Sequence, residues 1–157
     1  MSHIKLVTAI HAPVGRCFDL TSSIDFHIKT GVSTHERAIA GKTTGLIGSN
    51  EVVTFSARHL GFTRQLTSKI TEYEYTRYFT DEMQKGDFKS LKHRHTFTEK
   101  DGVTFMEDDL QYEVPFGFIG KIFDKLVLNR HMYNFLRERN DMLKKALESE
   151  EWKELVN

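Results

Sequence analysis

The sequence predicts an α+β fold: a curved antiparallel sheet of about six to seven strands wrapped around a long C-terminal helix, with two short helices after the first strand. Three observations predict it. From His35 to Val114 alternating segments follow one another with short links, the pattern of antiparallel neighbours. From about Lys121 to about Glu150 there is no Pro or Gly, and Ile122, Phe123, Leu126, Leu128, Met132, Phe135, Leu136, Met142, Leu143, Ala146 and Leu147 recur at helical spacing. At ~1.5 Å per residue that helix reaches ~45 Å, long enough to cover a sheet that would otherwise expose one apolar face.

The elements follow in order. Ile4 to His11 alternates as a strand, with Leu6, Thr8 and Ile10 on one side, and Ala12-Pro13 ends it. Pro13 suits a first helical turn, where its missing N–H costs nothing, and Val14, Cys17, Phe18 and Leu20 give a short apolar helical face. Ser22 or Ser23 caps a second short helix, Ile24 to Lys29, closed by Thr30-Gly31. The strands are His35–Ala40, Glu51–Leu60, Thr63–Tyr73, Arg77–Lys85, Ser90–Thr98 and Val103–Val114. Asp101-Gly102 between the last two favours a tight hairpin. Pro115 to Gly120 reads as a breaker before the long helix. The helical stripe shifts between Leu126 and Leu128, so its two halves are expected to bury different sectors. Residues 149–157 form a charged tail in which Trp152 and Leu155 are the groups able to dock.

With 157 residues the chain reads as one domain with a real core. Twenty-two basic and 22 acidic side chains balance, which argues against an electrostatic grip on nucleic acid or an anionic membrane. A single cysteine, Cys17, excludes an intrachain disulfide. Neither a leader pattern nor an apolar run of membrane-spanning length occurs, so a cytoplasmic protein without membrane insertion is expected, monomer or homodimer.

Function is legible chiefly through alternation. A bent sheet does not close evenly over a helix, and the gap is where a ligand fits. His93 and His95 share a face with Phe97, opposite Lys92, Arg94 and Thr96. Asp108 shares one with Met106, Leu110 and Tyr112; Asp81 with Phe79 and Met83; His59 with Val53, Phe55 and Ala57. Period-2 logic thus gathers His59, Asp81, His93, His95 and Asp108 on one concave surface, where buried charges need partners or a ligand. Phe55, Leu66, Phe97, Leu110, Tyr112 and Phe123 supply the apolar lining. The expected function is binding of a small hydrophobic or amphipathic molecule. The alternative is an acid–base enzyme in which His95 or His93 works beside Asp108. His93-X-His95 also has the spacing to share an ion if His59 or Asp81 adds a ligand, but the motif is short and common, and neither metal nor cofactor is expected. His131 reads as solvated.

The chain resembles the START/Bet v-type superfamily with the helix-grip fold, also called SRPBCC, and within it ligand-binding domains related to polyketide cyclase/dehydratase-like sequences. The resemblance is carried by Ala12-Pro13 with Cys17-Phe18-Asp19-Leu20, Ser23-Ile24-Asp25-Phe26-His27, Gly45-Leu46-Ile47-Gly48, Phe79-Thr80-Asp81-Glu82, His93-Arg94-His95-Thr96-Phe97 and Tyr112-Glu113-Val114-Pro115-Phe116-Gly117. Gly86-Asp87-Phe88 stands where the subfamily often has Gly-Pro-Phe. The likeness implies binding of lipid-, polyketide- or isoprenoid-like molecules, with only some members being enzymes. It also implies that the second short helix lies near the pocket entrance, which makes His27 a gate candidate.

Overall fold

The computed structural model describes residues 1–155; the last two positions of the charged tail lie outside them. Seven antiparallel strands form one sheet in the order β1-β7-β6-β5-β4-β3-β2. They are β1 (Ser2–Ile10), β2 (Arg37–Gly41), β3 (Val52–His59), β4 (Phe62–Glu74), β5 (Tyr78–Lys85), β6 (Ser90–Lys100) and β7 (Val103–Glu113). Between β1 and β2 run α1 (Val14–Ser22) and α2 (Ile24–Thr30). The C-terminal helix starts with α3 (Gly117–Phe123), passes through a π-helical turn (Asp124–Leu128) and continues as α4 (Asn129–Leu147).

Register shifts between Ala38 and Ala40 in β2, and at Thr67/Ser68 and Ile70/Glu72 in β4, mark irregularities of the bulge kind. Such irregularities bend a strand and increase its twist, which curves the sheet. The concave face packs on α1 through Ile10, Cys17, Phe18, Leu20, Phe79, Phe97 and Met106, and on the end of α4 through Leu143, Ala146 and Leu147. Phe18 meets Phe79 and Tyr73 edge-on at 5.4 Å, and Phe97 at 5.2 Å. A second cluster of Ile4, Leu91, Leu110, Tyr112 and Leu136 fixes the middle of the helix against β1, β6 and β7. Trp152 and Leu155 pack on the main core, with the Arg16 guanidinium 3.7 Å above the indole.

Two expectations about the helix change. Its start lies earlier, at Gly117, because Phe116 and Gly117 both take left-handed conformations and turn the chain straight into the helix. Gly120 is part of that helix rather than of a breaker: a Cβ there would lie 1.9 Å from the Pro115 carbonyl oxygen, so only glycine allows this tight entry. The shift of the apolar stripe between Leu126 and Leu128 coincides with the π-turn. One extra residue per turn rotates everything after it around the axis, so the two halves present different faces. Asp124 anchors that turn. Buried at its start, it accepts a hydrogen bond from the Tyr112 hydroxyl at 2.7 Å and another from Ser2, while Asn129 donates to Tyr112 at 3.2 Å. Strand boundaries move by one or two residues; His35, expected to open β2, instead caps a 3-10 turn (Val32–Thr34) in the left-handed region.

Replacing Gly120 by Ala is expected to destabilise the fold by about 1–3 kcal/mol, the usual cost of forcing extra atoms into a packed site. Gly102→Asn, in a hairpin turn with open space around its Cβ direction, is expected to cost less, under about 1 kcal/mol, because only the positive φ is strained there and Asn tolerates it better than most residues. Urea midpoints of the two variants make the comparison.

Candidate functional site

Between the concave face and the helices lies a cavity of about 750 Å³. Period-2 alternation puts Val53, Phe55, Ala57 and His59 of β3, and Leu66, Ser68 and Ile70 of β4, on its wall. Phe79 and Asp81 of β5, His93 and His95 of β6 and Leu110 of β7 join them. The opposite wall comes from Phe26 and His27 of α2, Gly120 and Phe123 of α3, and Val127, His131, Phe135, Leu136, Arg139 and Asn140 further along the helix. Several lining side chains are also exposed on the surface, notably Leu60, Phe62, Phe116, Phe123 and Val127. They mark the mouth between the β3–β4 hairpin and the start of the C-terminal helix.

Three of the expected lining residues do not reach the cavity. Phe97 is buried in the main core against Phe18 and Phe79, because β6 has by then run past the cavity to meet α1. Tyr112 is spent on the Asp124 anchor, and burial followed by the neighbouring carboxylate pushes its phenol well above the ordinary value. Asp108 has no exposure at all and lies beneath the two histidines. His131, expected in solvent, lines the cavity: its Nε2 stands 3.1 Å from His59 Nδ1, and burial holds both imidazoles below their ordinary pKa.

Two further polar groups converge on this cavity. In the first, Asp108 Oδ1 lies 2.9 Å from His93 Nε2, and Oδ2 accepts a hydrogen bond from Asn140 at 2.6 Å. His95 Nδ1 lies 2.8 Å from the same Oδ1 but out of line for a well-formed hydrogen bond, so that contact acts mainly through charge. On the far side of both rings Asp81 Oδ1 lies 3.6 Å from His95 Nε2 and 3.9 Å from His93 Nδ1. Burial alone would raise the pKa of Asp108, but the two histidines more than offset it and hold the carboxyl well below its usual range. For His95 burial works downward, yet the carboxylates on either side win and raise it to about 9.

The second group carries no mark in the strand alternation. Glu36, buried just before β2, pairs with Arg139 Nη2 at 2.5 Å and with His27 Nε2 at 3.0 Å. Arg139 Nη1 lies 2.6 Å from the same His27 nitrogen. His27 is held below its ordinary pKa, first by burial and then by Arg139, while its ring stacks on Phe55 at 4.5 Å. A signal for Arg139 and Asn140 existed: they fall at helical spacing between Leu136 and Leu143, inside the apolar stripe. Glu36 carried none, since its burial depends on the turn before β2 and not on alternation.

No protein-family model matches the sequence, and no curated protein does either. Solved structures do match the fold. The protein TTHA0849 from Thermus thermophilus aligns at TM-score 0.72 and 16% identity, over 92% of this chain and 99% of that one. A START superfamily protein from Mycobacterium smegmatis aligns at TM-score 0.65 and 15% identity, over 90% and 98%. The Zhui aromatase/cyclase from Streptomyces sp. R1128 aligns at TM-score 0.65 and 10% identity, over 92% and 94%. The fold shared with these structures is the helix-grip fold. In helix-grip terms the sheet is the palm, α3 and α4 are the gripped rod, and the cavity is the space the grip leaves open. No helix among the described residues is long and apolar enough to cross a membrane.

The Glu36 group sets a pH dependence. Burial would raise the pKa of Glu36, but His27 and Arg139 outweigh it and lower the carboxyl to about 2 from 4.5. A folded pKa below the unfolded one stabilises the fold fully above about pH 4.5, and that stabilisation disappears as pH falls toward 2. It amounts to at most about 3 kcal/mol. Glu36→Gln is expected to flatten the stability–pH curve between about pH 2 and 5, measured by chemical denaturation at each pH. Arg139→Met, which strands a buried charge, is expected to cost about 3–5 kcal/mol at neutral pH.

Proposed function

We propose that the protein binds a small amphipathic molecule, of the lipid, polyketide or isoprenoid kind, in the cavity between sheet and C-terminal helix. The observation that carries this reading is the cavity itself: about 750 Å³, walled largely by aromatic and aliphatic side chains, with the histidine–aspartate cluster, the Glu36–Arg139 cluster and the His59–His131 pair among its polar groups. That volume falls within the range of small-molecule sites, and a few placed polar groups in an apolar wall are what orient a guest with one polar end. Arg139 adds support. Its Nε–H is buried without a hydrogen-bond partner among the described residues, which is costly unless something accepts from it. A guest carrying an oxygen acceptor at its polar end would do so. Phe62, Phe116, Phe123 and Val127 at the mouth offer the apolar body of the guest a path inward.

The acid–base enzyme is the weaker reading. Asp108 is sealed from the cavity and connects to it through the imidazoles and Asn140, so it orients them and meets no guest directly. The aromatase/cyclase neighbour shares the fold at 10% identity, which carries no residue role across.

A panel of fatty acids, isoprenoid alcohols and aromatic polyketides, screened by thermal shift and native mass spectrometry, tests the proposal. A guest present at a hundredfold its Kd adds about 2.7 kcal/mol to stability and raises the melting temperature by several degrees. Leu66→Trp, which fills the cavity from β4, is expected to abolish that shift while leaving the circular-dichroism spectrum unchanged. Stabilisation that survives Leu66→Trp would move the binding site elsewhere, and the absence of any adduct across the panel would overturn the reading.

A further inference from the structure

His93, His95, Asp81 and Asp108 have an arrangement that holding an apolar guest does not require. The two imidazoles are alternate residues of β6 and project to the same side, their ring centroids 3.9 Å apart. Each turns one nitrogen to Asp108, His93 through a hydrogen bond at Nε2 and His95 through a charge contact at Nδ1. Each turns its other nitrogen toward Asp81. Asp81 Oδ1 thus faces His93 Nδ1 at 3.9 Å and His95 Nε2 at 3.6 Å, and one donor atom from each of the three side chains, all lining the cavity, lies within 4.8 Å of the others. We propose that Asp81, His93 and His95 form a binding site for one divalent first-row transition cation such as Zn²⁺, with Asp108 as the outer carboxylate that orients both rings.

The chemistry of the donor set favours this. Two imidazoles and a carboxylate suit a borderline cation of the zinc, cobalt or iron kind and give one face of its coordination shell. With bonds of roughly 2.1 Å, tetrahedral ligand atoms stand ~3.4 Å apart. Asp81 Oδ1, at 3.6 Å and 3.9 Å from the two nitrogens, needs only a small inward shift to meet that spacing. Metal-binding histidines characteristically give their second nitrogen to a carboxylate, which fixes the tautomer and raises ligand basicity. Here one carboxylate serves both rings, and Asn140 holds it from behind at 2.6 Å. Charge balance points the same way. Asp81 and Asp108 bring two carboxylates to a place largely shut off from water, and a dication is a charge partner suited to such a pair. The cavity side leaves a coordination position for water or for a donor atom of a guest.

The His59–His131 pair is the competing place for an ion, with two imidazoles but no third ligand close enough among the described residues to complete a group with them. The test therefore separates the two. Untagged, chelator-treated protein is titrated with Co²⁺ alone, read by visible ligand-field absorption and calorimetry, and the Co²⁺ is then displaced with Zn²⁺. One equivalent is expected to bind at micromolar Kd or tighter, with the intense bands of a four- or five-coordinate ion. His93→Ala and Asp81→Asn are each expected to weaken binding about a hundredfold or more, and Asp108→Asn about 10–100-fold. His131→Gln is expected to leave it unchanged. Far-UV circular dichroism checks folding of each variant. Should a variant unfold, paramagnetic broadening of the His93 and His95 ring signals by Co²⁺ in the unaltered protein decides the matter. The site is overturned by absence of saturable binding below millimolar Co²⁺, by binding that persists in folded His93→Ala and Asp81→Asn, by binding lost in His131→Gln, or by broadening centred on other residues. The outcome is independent of the amphipathic-guest reading: cobalt binding without any lipid-like adduct keeps the metal site and removes the guest, and the reverse result does the opposite.

Discussion

A carboxylate sealed from water sits where the sheet meets the helix, and much of the structure serves to satisfy it. Asp108 is contacted by His93 and His95 from the neighbouring strand and by Asn140 from α4, and Asn140 also reaches Thr8 on β1 at 3.2 Å. An unpaired charge in that position would cost several kcal/mol, so the position of α4 over β1, β6 and β7 is fixed by polar geometry as well as by apolar area. The same network aims two imidazoles into the cavity with their orientation already set. Structural anchoring and site construction are here one set of bonds.

The cavity survives because the C-terminal helix changes phase. The π-turn between α3 and α4 is tied down through Asp124 to Tyr112 and Ser2, and it rotates the two halves of the helix relative to each other. Beyond the turn Leu136, Leu143, Ala146 and Leu147 bury themselves in the ordinary way. Before and within it Phe118, Ile119 and Leu126 stay largely exposed, while Phe123 and Val127 edge the mouth. The register shifts in β2 and β4 add to the curvature of the sheet. Space between sheet and rod is therefore built from irregularities on both sides.

The alternation of β3, β4 and β6 was enough to place Phe55, His59, Leu66, His93 and His95 on the concave face, because a strand's side chains can only alternate. It could not say how far along each strand the cavity extends. Phe97 and Tyr112 share faces with lining residues yet lie beyond its ends, one against α1 and the other under the π-turn. Nor did it reveal depth: Asp108 and His93 face the same way, but only three-dimensional packing puts one beneath the other. Glu36 escaped notice for a different reason, since its partner Arg139 lies far from it in sequence and no periodicity links it to Arg139 or His27.

Local rules alone therefore determined the strand faces, the two short helices and the long C-terminal helix, and even the place where its stripe slips. Those depend on backbone periodicity, caps and turn residues, all of which act over a few positions. Which polar groups meet was decided only by the tertiary structure. Charge pairing acts across space between segments far apart in the chain, 103 residues in the case of Glu36 and Arg139. The chain must close before Asp108, Arg139 and their partners come within bonding distance.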